Sequence, residues 1–126
     1  STKYSIAGYC RISVDEEMDR DNTSIENQKA IITDFVNENS PTARSPHVVQ
    51  KYIPNGQLEF YEDRDRSGYT FEQREGYQEL RKKMLRMEYD ILIVKDFSRF
   101  SRRNSKGLVE LEDLRDAGMR IISIGD

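Results

Sequence analysis

The sequence predicts an α/β domain: a doubly wound, mainly parallel sheet flanked by helices in three layers. Short apolar segments alternate with longer segments of helical periodicity, in the order β-α-β-α-β-α-β. One apolar segment, Ile91–Val94, is a continuous, β-branched-rich run set between Asp90 and Lys95-Asp96. It is too short for a core helix and suits a strand buried on both faces, as in a parallel sheet. The helical segments fall between successive strands, where the crossovers of such a sheet belong.

Residues 4–12, YSIAGYCRI, read as the first strand, and the small Ala7 and Gly8 leave room for a helix to approach the sheet. Residues 14–22, VDEEMDRDN, are an acidic loop. A helix follows, capped by Thr23 or Ser24, with Glu26 three residues after Thr23 as in a capping box. Ile25, Ile31, Ile32, Phe35 and Val36 form its apolar stripe, and it frays near Asn37 and Asn39. Residues 40–57 contain all three prolines, Pro41, Pro46 and Pro54, and Gly56; they read as a long loop with a short extended piece at 48–53. Residues 58–63, LEFYED, form the second strand, 64–73 a polar, glycine-containing loop, and 76–87 a helix with Tyr77, Leu80, Met84 and Met87 turned inward. After Ile91–Val94, a third helix spans about Ser105–Asp116, uses Leu108, Leu111 and Leu114, and ends at Ala117-Gly118. Residues 119–124, MRIISI, are the last strand. There is no internal repeat and no low-complexity segment.

At 126 residues the chain is one domain, large enough to bury a core without staples. With 34% charged residues and a formal net charge of -3, it is not a protein that coats nucleic acid through general basicity. Any polyanion chemistry must come from a local cluster. A single cysteine, Cys10, excludes an internal disulfide and a multi-cysteine zinc site, and suits a reducing, cytoplasmic setting. No apolar run approaches the length of a membrane span, and no signal peptide is visible. A start at Ser1 without methionine and an end directly after an apolar run read as a piece cut from a longer chain.

The cluster is Arg99, Arg102 and Arg103, which directly follows the Ile91–Val94 strand. Helical spacing places these guanidiniums on one face, where each pair repels by roughly 3 kcal/mol at an effective dielectric near 20. A bound anion removes that strain, and the carboxyl edge of such a sheet is where ligands bind. The same edge receives Arg11-Ile12-Ser13 after the first strand, residues 64–68 after the second, and Arg74 at the start of the following helix. Arginines bind phosphate through two parallel hydrogen bonds and cannot deprotonate, so they stabilise charge on a phosphorane without a metal. Ser13 is the candidate nucleophile, with a covalent phosphoserine as intermediate.

Competing designs fare worse. The single histidine, His47, lies in the proline-rich loop, so a Ser-His-Asp triad has no base. Six residues after Cys10 stands Glu16 rather than arginine, so there is no cysteine-phosphatase loop, and Cys10 reads as a core residue. No GxxxxGK[ST] loop is present for a nucleotide. Asp15, Glu16, Glu17, Asp63 and Asp65 could hold magnesium in a metal nuclease, but they have no ligand spacing and read as solvated carboxylates.

At this point the residues resemble a known family. Tyr9-Cys10-Arg11-Ile12-Ser13 is similar to the Tyr-x-Arg-x-Ser motif that opens the catalytic domain of serine recombinases, the resolvase and invertase family. Ser24 and Gln28, in SIENQ, resemble the start of its first helix. Ser67-Gly68 followed by Arg74-Glu75-Gly76 resembles its Ser-Gly…Arg-x-Gly segment, and residues 94–102, VKDFSRFSR, resemble its strand-to-helix turn with two catalytic arginines. The match covers nearly the whole chain in order. It implies a resolvase-like, Rossmann-like fold, Ser13 as nucleophile, and Arg11, Arg74, Arg99 and Arg102 as ligands of the scissile phosphate, with Gln28, Ser67 and Ser24 in support. Small resolvases carry an aspartate directly before the first turn arginine; here that position is Ser98, and Asp96 lies two residues earlier, on the same side if the strand continues. Either Ser98 or Asp96 takes the role. The long loops at 14–22 and 40–57 resemble the larger transposon and phage integrases.

The resemblance implies site-specific recombination of double-stranded DNA through a 5′-phosphoserine link, with no cofactor and no metal. It implies residues 1–126 as an N-terminal catalytic domain, with DNA-binding and dimerisation regions C-terminal to it. The full-length protein then assembles with itself as dimer and tetramer, while this piece alone is monomeric. The alternatives are a magnesium-dependent nuclease and a non-catalytic α/β interaction domain whose arginines merely bind an anion.

Overall fold

The computed structural model describes residues 5–13, 24–38, 57–65, 73–100 and 105–125. Four parallel strands form one sheet: β1 (Ser5–Ser13), β2 (Gln57–Asp65), β3 (Ile91–Val94) and β4 (Arg120–Ser123), in the order β2-β1-β3-β4. The helices are α1 (Ile25–Glu38), α2 (Glu75–Leu85), α3 (Phe97–Phe100) and α4 (Ser105–Asp116). The doubly wound parallel sheet expected from the sequence is the one observed. One element is additional, the single turn α3 directly after β3. The extended piece expected at 48–53 and the loop at 14–22 lie outside the described residues.

The two central strands supply the core. All four residues of β3 are buried, as is β1 from Ile6 to Ile12. Alternation along β1 divides them between two layers. Ile6, Cys10 and Ile12 join Ile25, Ile32 and Val36 of α1 and Ile91 and Ile93 of β3 on one face. Ala7 and Tyr9 join Tyr77, Leu80, Met84, Leu92, Val94, Phe100, Leu111 and Leu114 on the other, which α2, α3 and α4 cover. Each fully buried isoleucine contributes roughly 1.5–3 kcal/mol. The edge strand β2 carries exposed Gln57, Glu59, Glu62 and Arg64, which discourages pairing with another sheet.

Three details differ from the sequence reading. At Gly8, a Cβ would lie 2.7 Å from the Phe60 ring of the neighbouring strand and 3.3 Å from Ile32 Cγ2 of α1. The small residue therefore makes room first for an aromatic ring and second for the helix. Leu108, placed inward above, is 64% exposed. The buried side of α4 is Gly107, Glu110, Leu111 and Leu114, and Leu108 lies about 100° around the helix from Gly107. Met87, also placed inward, is 59% exposed and has φ 63°: it is the left-handed residue that ends α2 rather than part of its stripe.

Both helices that descend on that face end alike. In α2, Met87 N–H donates to Met84 O (3.0 Å) and Glu88 N–H to Lys83 O (2.9 Å). In α4, Gly118 N–H donates to Arg115 O (2.9 Å) and Met119 N–H to Leu114 O (3.0 Å). These are paired Schellman closures, with Met87 and Gly118 in the left-handed position.

Candidate active site

The order β2-β1-β3-β4 sends the connection after β1 to one side and the connection after β3 to the other. Between the carboxyl ends of β1 and β3 this opens the crevice where doubly wound sheets bind ligands. β1 ends there at Ser13, α3 begins there after β3, and α2 starts there with Arg74.

β1 outruns β3. The last β1–β3 pair is Tyr9↔Val94, so Arg11 lies past the point where β3 can bond its backbone. Gln28 of α1 replaces the missing strand: its Oε1 accepts Arg11 N–H (3.1 Å) and its Nε2 donates to Arg11 O (2.9 Å). The Gln28 side chain is fully buried, so those two bonds have no competition from water. α1 is in turn started by Ser24, whose Oγ accepts Asn27 N–H at 3.1 Å. Of the two caps offered by the sequence, Ser24 serves; Thr23 lies outside the described residues.

Asp63 organises the start of α2. Its Oδ1 accepts Gly76 N–H and its Oδ2 accepts both Tyr77 N–H and the Tyr9 hydroxyl, each at 2.8 Å. The residue at the N-cap itself is Arg74, whose side chain does not cap, so a carboxylate from β2 does this from eleven residues upstream. The expectation that Asp63 is a solvated carboxylate or a metal ligand is therefore corrected: its two oxygens already hold two amides and a phenol. Among the described residues no group of three His, Cys, Asp or Glu side chains is placed to hold a metal ion.

Arg11 and Arg74 are both about 6% exposed. Arg74 Nη1 donates to the carbonyl oxygen of Phe100, at the end of α3. The Tyr9 phenol is held well above the ordinary tyrosine range by burial and by the Asp63 carboxylate, while Arg74 and Arg11 both pull it down. Two buried guanidiniums thus act on one buried phenol at the crevice. Cys10, on the other face of β1, is a free thiol pushed up to about 12 by burial, so at neutral pH it is an unreactive core residue as read above.

The remaining sequence candidates divide. Ser13, Ser98 and Arg99 have their backbones at this edge, Ser13 closing β1 and the other two inside α3. Asp96 stands past the last strand residue, Val94, and immediately before α3, so strand parity does not govern it. Its Oδ2 accepts Lys95 Nζ at 3.2 Å. Ser67 and Arg102 lie outside the described residues.

Sequence reasoning missed Phe100, Glu110, the hydroxyls of Tyr9 and Tyr77, and the capping role of Asp63. Glu110 of α4 is buried, and its carboxylate accepts Tyr77 Oη–H (2.8 Å) and Arg81 Nε–H (2.9 and 3.1 Å). The one available signal was position: Asp63 falls opposite Arg11 in the β1–β2 register, which cannot be known until the strands are paired.

The family model for the resolvase N-terminal domain matches residues 6–126. No curated protein matches the chain significantly by sequence. Among solved structures, the N-terminal catalytic domain of TP901-1 integrase is similar with a TM-score of 0.68 at 21% identity, over 95% of this chain and 76% of that one. A resolvase family site-specific recombinase from Streptococcus pneumoniae gives 0.63 at 23% identity, over 97% and 72%. The C-terminal catalytic domain of ISC1926 TnpA, an IS607-like serine recombinase, gives 0.62 at 19%, over 95% and 70%. No described helix is long and apolar enough to cross a membrane. With the family model covering nearly its whole length, the chain belongs to the resolvase family, as a catalytic domain of the serine recombinases that carry out DNA recombination.

Proposed function

We propose that this domain cuts and rejoins double-stranded DNA by transesterification at Ser13. The Ser13 hydroxyl oxygen bonds to the scissile phosphorus, the bond from phosphorus to the 3′ oxygen breaks, and the 3′-hydroxyl leaves with the proton. The 5′-phosphoserine keeps the ester energy, and attack by a 3′-hydroxyl of the recombining partner reverses the step. The balance needs no nucleotide and no redox partner. The single observation that carries this reading is the pair of buried guanidiniums, Arg11 and Arg74, beside the end of β1 that Ser13 closes. Two fixed cations at a crevice suit a phosphodiester, whose developing charge they stabilise in the transition state.

In this reading Arg99 and Arg102 complete the phosphate site, Ser67 assists them, and Asp96 or Ser98 orients the turn. Gln28 and Ser24 hold β1 and α1 in place. The protein works as dimers that pair into a tetramer on DNA, in the reducing cytoplasm. Target recognition resides in regions C-terminal to this domain, which accords with 20 basic residues facing 23 acidic ones.

The test is trapping of a covalent adduct on nicked, suicide DNA by the full-length protein with chelator present. Ser13→Ala should leave DNA binding intact and abolish the adduct. Residual adduct from that variant would sink the assignment, adduct formation that needs magnesium would favour the nuclease, and binding without any adduct would favour a non-catalytic domain.

A further inference from the structure

The buried Tyr77 and Glu110, with the partly exposed Arg81 that pairs with Glu110, have no part in the chemistry just described. A buried carboxylate inside an otherwise aromatic and aliphatic layer is a poor choice for stability, because its desolvation offsets much of what a partly exposed partner returns. What the group does accomplish is geometric. Tyr77 is fixed at both ends, its amide by Asp63 Oδ2 and its hydroxyl by Glu110 Oε2, each at 2.8 Å. Between those anchors its ring makes edge contacts with Tyr9 (centroids 5.5 Å apart, 67°) and with Phe100 (5.4 Å, 85°). Phe100 closes α3, and its carbonyl holds the Arg74 guanidinium. Arg81, one turn on from Tyr77 along α2, holds the Glu110 carboxylate from the outside through Nε.

We infer that Glu110 is a positioning residue for strand transfer: by holding the Tyr77 hydroxyl it sets the ring against which Phe100 rests, and through the Phe100 carbonyl it sets Arg74. The inference rests on the proposed function for its catalytic sense, but its geometric part stands separately. α4 thereby acts on the reaction without touching the phosphate. Loss of the Tyr77 anchor lets the Phe100 ring and its carbonyl drift, and a misplacement near 1 Å is enough to cost about 10²-fold in rate.

Two variants test this in the full-length protein. Tyr77→Phe keeps the ring and leaves Glu110 on Arg81; Glu110→Gln keeps the shape and removes the charge. Each should lower the single-turnover rate of adduct formation about 10- to 100-fold while DNA affinity stays unchanged. In an Arg74→Lys background the same changes should add less than about twofold, since both act through one group. The aromatic NMR resonances of Phe100, shifted by the Tyr77 ring, should move in both variants without any DNA present. Phe100 resonances that stay put, or full additivity with Arg74→Lys, overturn the positioning role. A wild-type protein that forms no adduct at all overturns the proposed function instead, and with it the catalytic sense of this network.

Discussion

The two edges of the sheet are closed by different means. At the amino edge the closure is mostly backbone: α2 and α4 end in Schellman turns, Asp90 N–H donates to Ser5 O (2.8 Å), and Arg120 N–H donates to Asp90 O (3.0 Å), with one side chain, Asp90, whose Oδ2 accepts Ser5 N–H (3.0 Å). At the carboxyl edge the backbone bonds from Ile124 N–H to Val94 O (3.1 Å) and from Gly125 N–H to Lys95 O (2.7 Å) are joined by a set of side-chain closures over long separations in sequence. Gln28 bonds the amide and carbonyl of Arg11, Asp63 caps α2, and Arg74 bonds Phe100. The first kind of closure holds a fold. The second also fixes where guanidiniums and a strand end lie relative to one another, which a phosphoryl-transfer site requires. Changes at the carboxyl edge should therefore reach activity, and changes at the amino edge should reach stability alone.

The largest effect is expected at Arg74. Arg74→Lys keeps the charge and loses the planar fork that holds the Phe100 carbonyl and that the proposed function turns towards the phosphate. Single-turnover adduct formation should fall about 10²–10³-fold, in line with loss of one transition-state donor. A rate within threefold of wild type would place Arg74 outside the reaction and leave it as a strut for α3.

Asp63 comes next, with an effect on both quantities. Asp63→Ala removes the cap from α2 and leaves the buried Tyr9 hydroxyl without that acceptor, at a cost of about 2–4 kcal/mol of stability. Asp63→Asn retains one acceptor oxygen and should lose about half as much. Urea unfolding of the three proteins measures this, and equal stability for Ala and Asn would show that the Tyr9 bond contributes nothing. Gln28→Leu keeps the volume and removes its two hydrogen bonds to the buried Arg11 backbone, for about 2–3 kcal/mol, and should slow the adduct as the end of β1 frays. Hydrogen exchange at the Arg11 amide reads the fraying directly; an amide as protected as in wild type would mean that β1 holds itself.

The same contrast explains what could be read from the chain. The strands, three helices and the Ala117-Gly118 stop are local patterns, and each stands where periodicity and turn residues put it. Ile91–Val94 is legible as a central strand because four consecutive apolar residues leave no other place for it. Met87 and Leu108 misled because an apolar residue near a helical stripe reads as part of it, whereas helix phase and termination depend on tertiary contacts. The carboxyl edge was legible as the meeting place of the arginines and Ser13, through topology and then motif resemblance, but not in the contacts that build it. Nothing in the spacing of Asp63 from Gly76, or of Tyr77 from Glu110, signals contact, since each pairing is created by the fold.

Met87 offers the smallest and cleanest test. It occupies the same left-handed position at the end of α2 that Gly118 occupies at the end of α4, with φ 63° against 100°. A side chain there costs about 1–2 kcal/mol relative to right-handed backbone, and glycine avoids that cost. Glycine also gives the unfolded chain more freedom, which takes back about 0.4–1 kcal/mol. Because Met87 is 59% exposed, little burial is lost with it beyond its contact with Gly118. Met87→Gly should therefore stabilise the domain by about 0.5–1 kcal/mol. Gly118→Ala should do the opposite, since it adds the left-handed strain and brings a Cβ to 3.3 Å from Met87 Cε. Denaturant midpoints measure both, and adduct rates for both should match wild type. A destabilised Met87→Gly would mean that the methionine side chain, not the backbone turn, closes this edge; a changed adduct rate would mean that the two edges are coupled through α2.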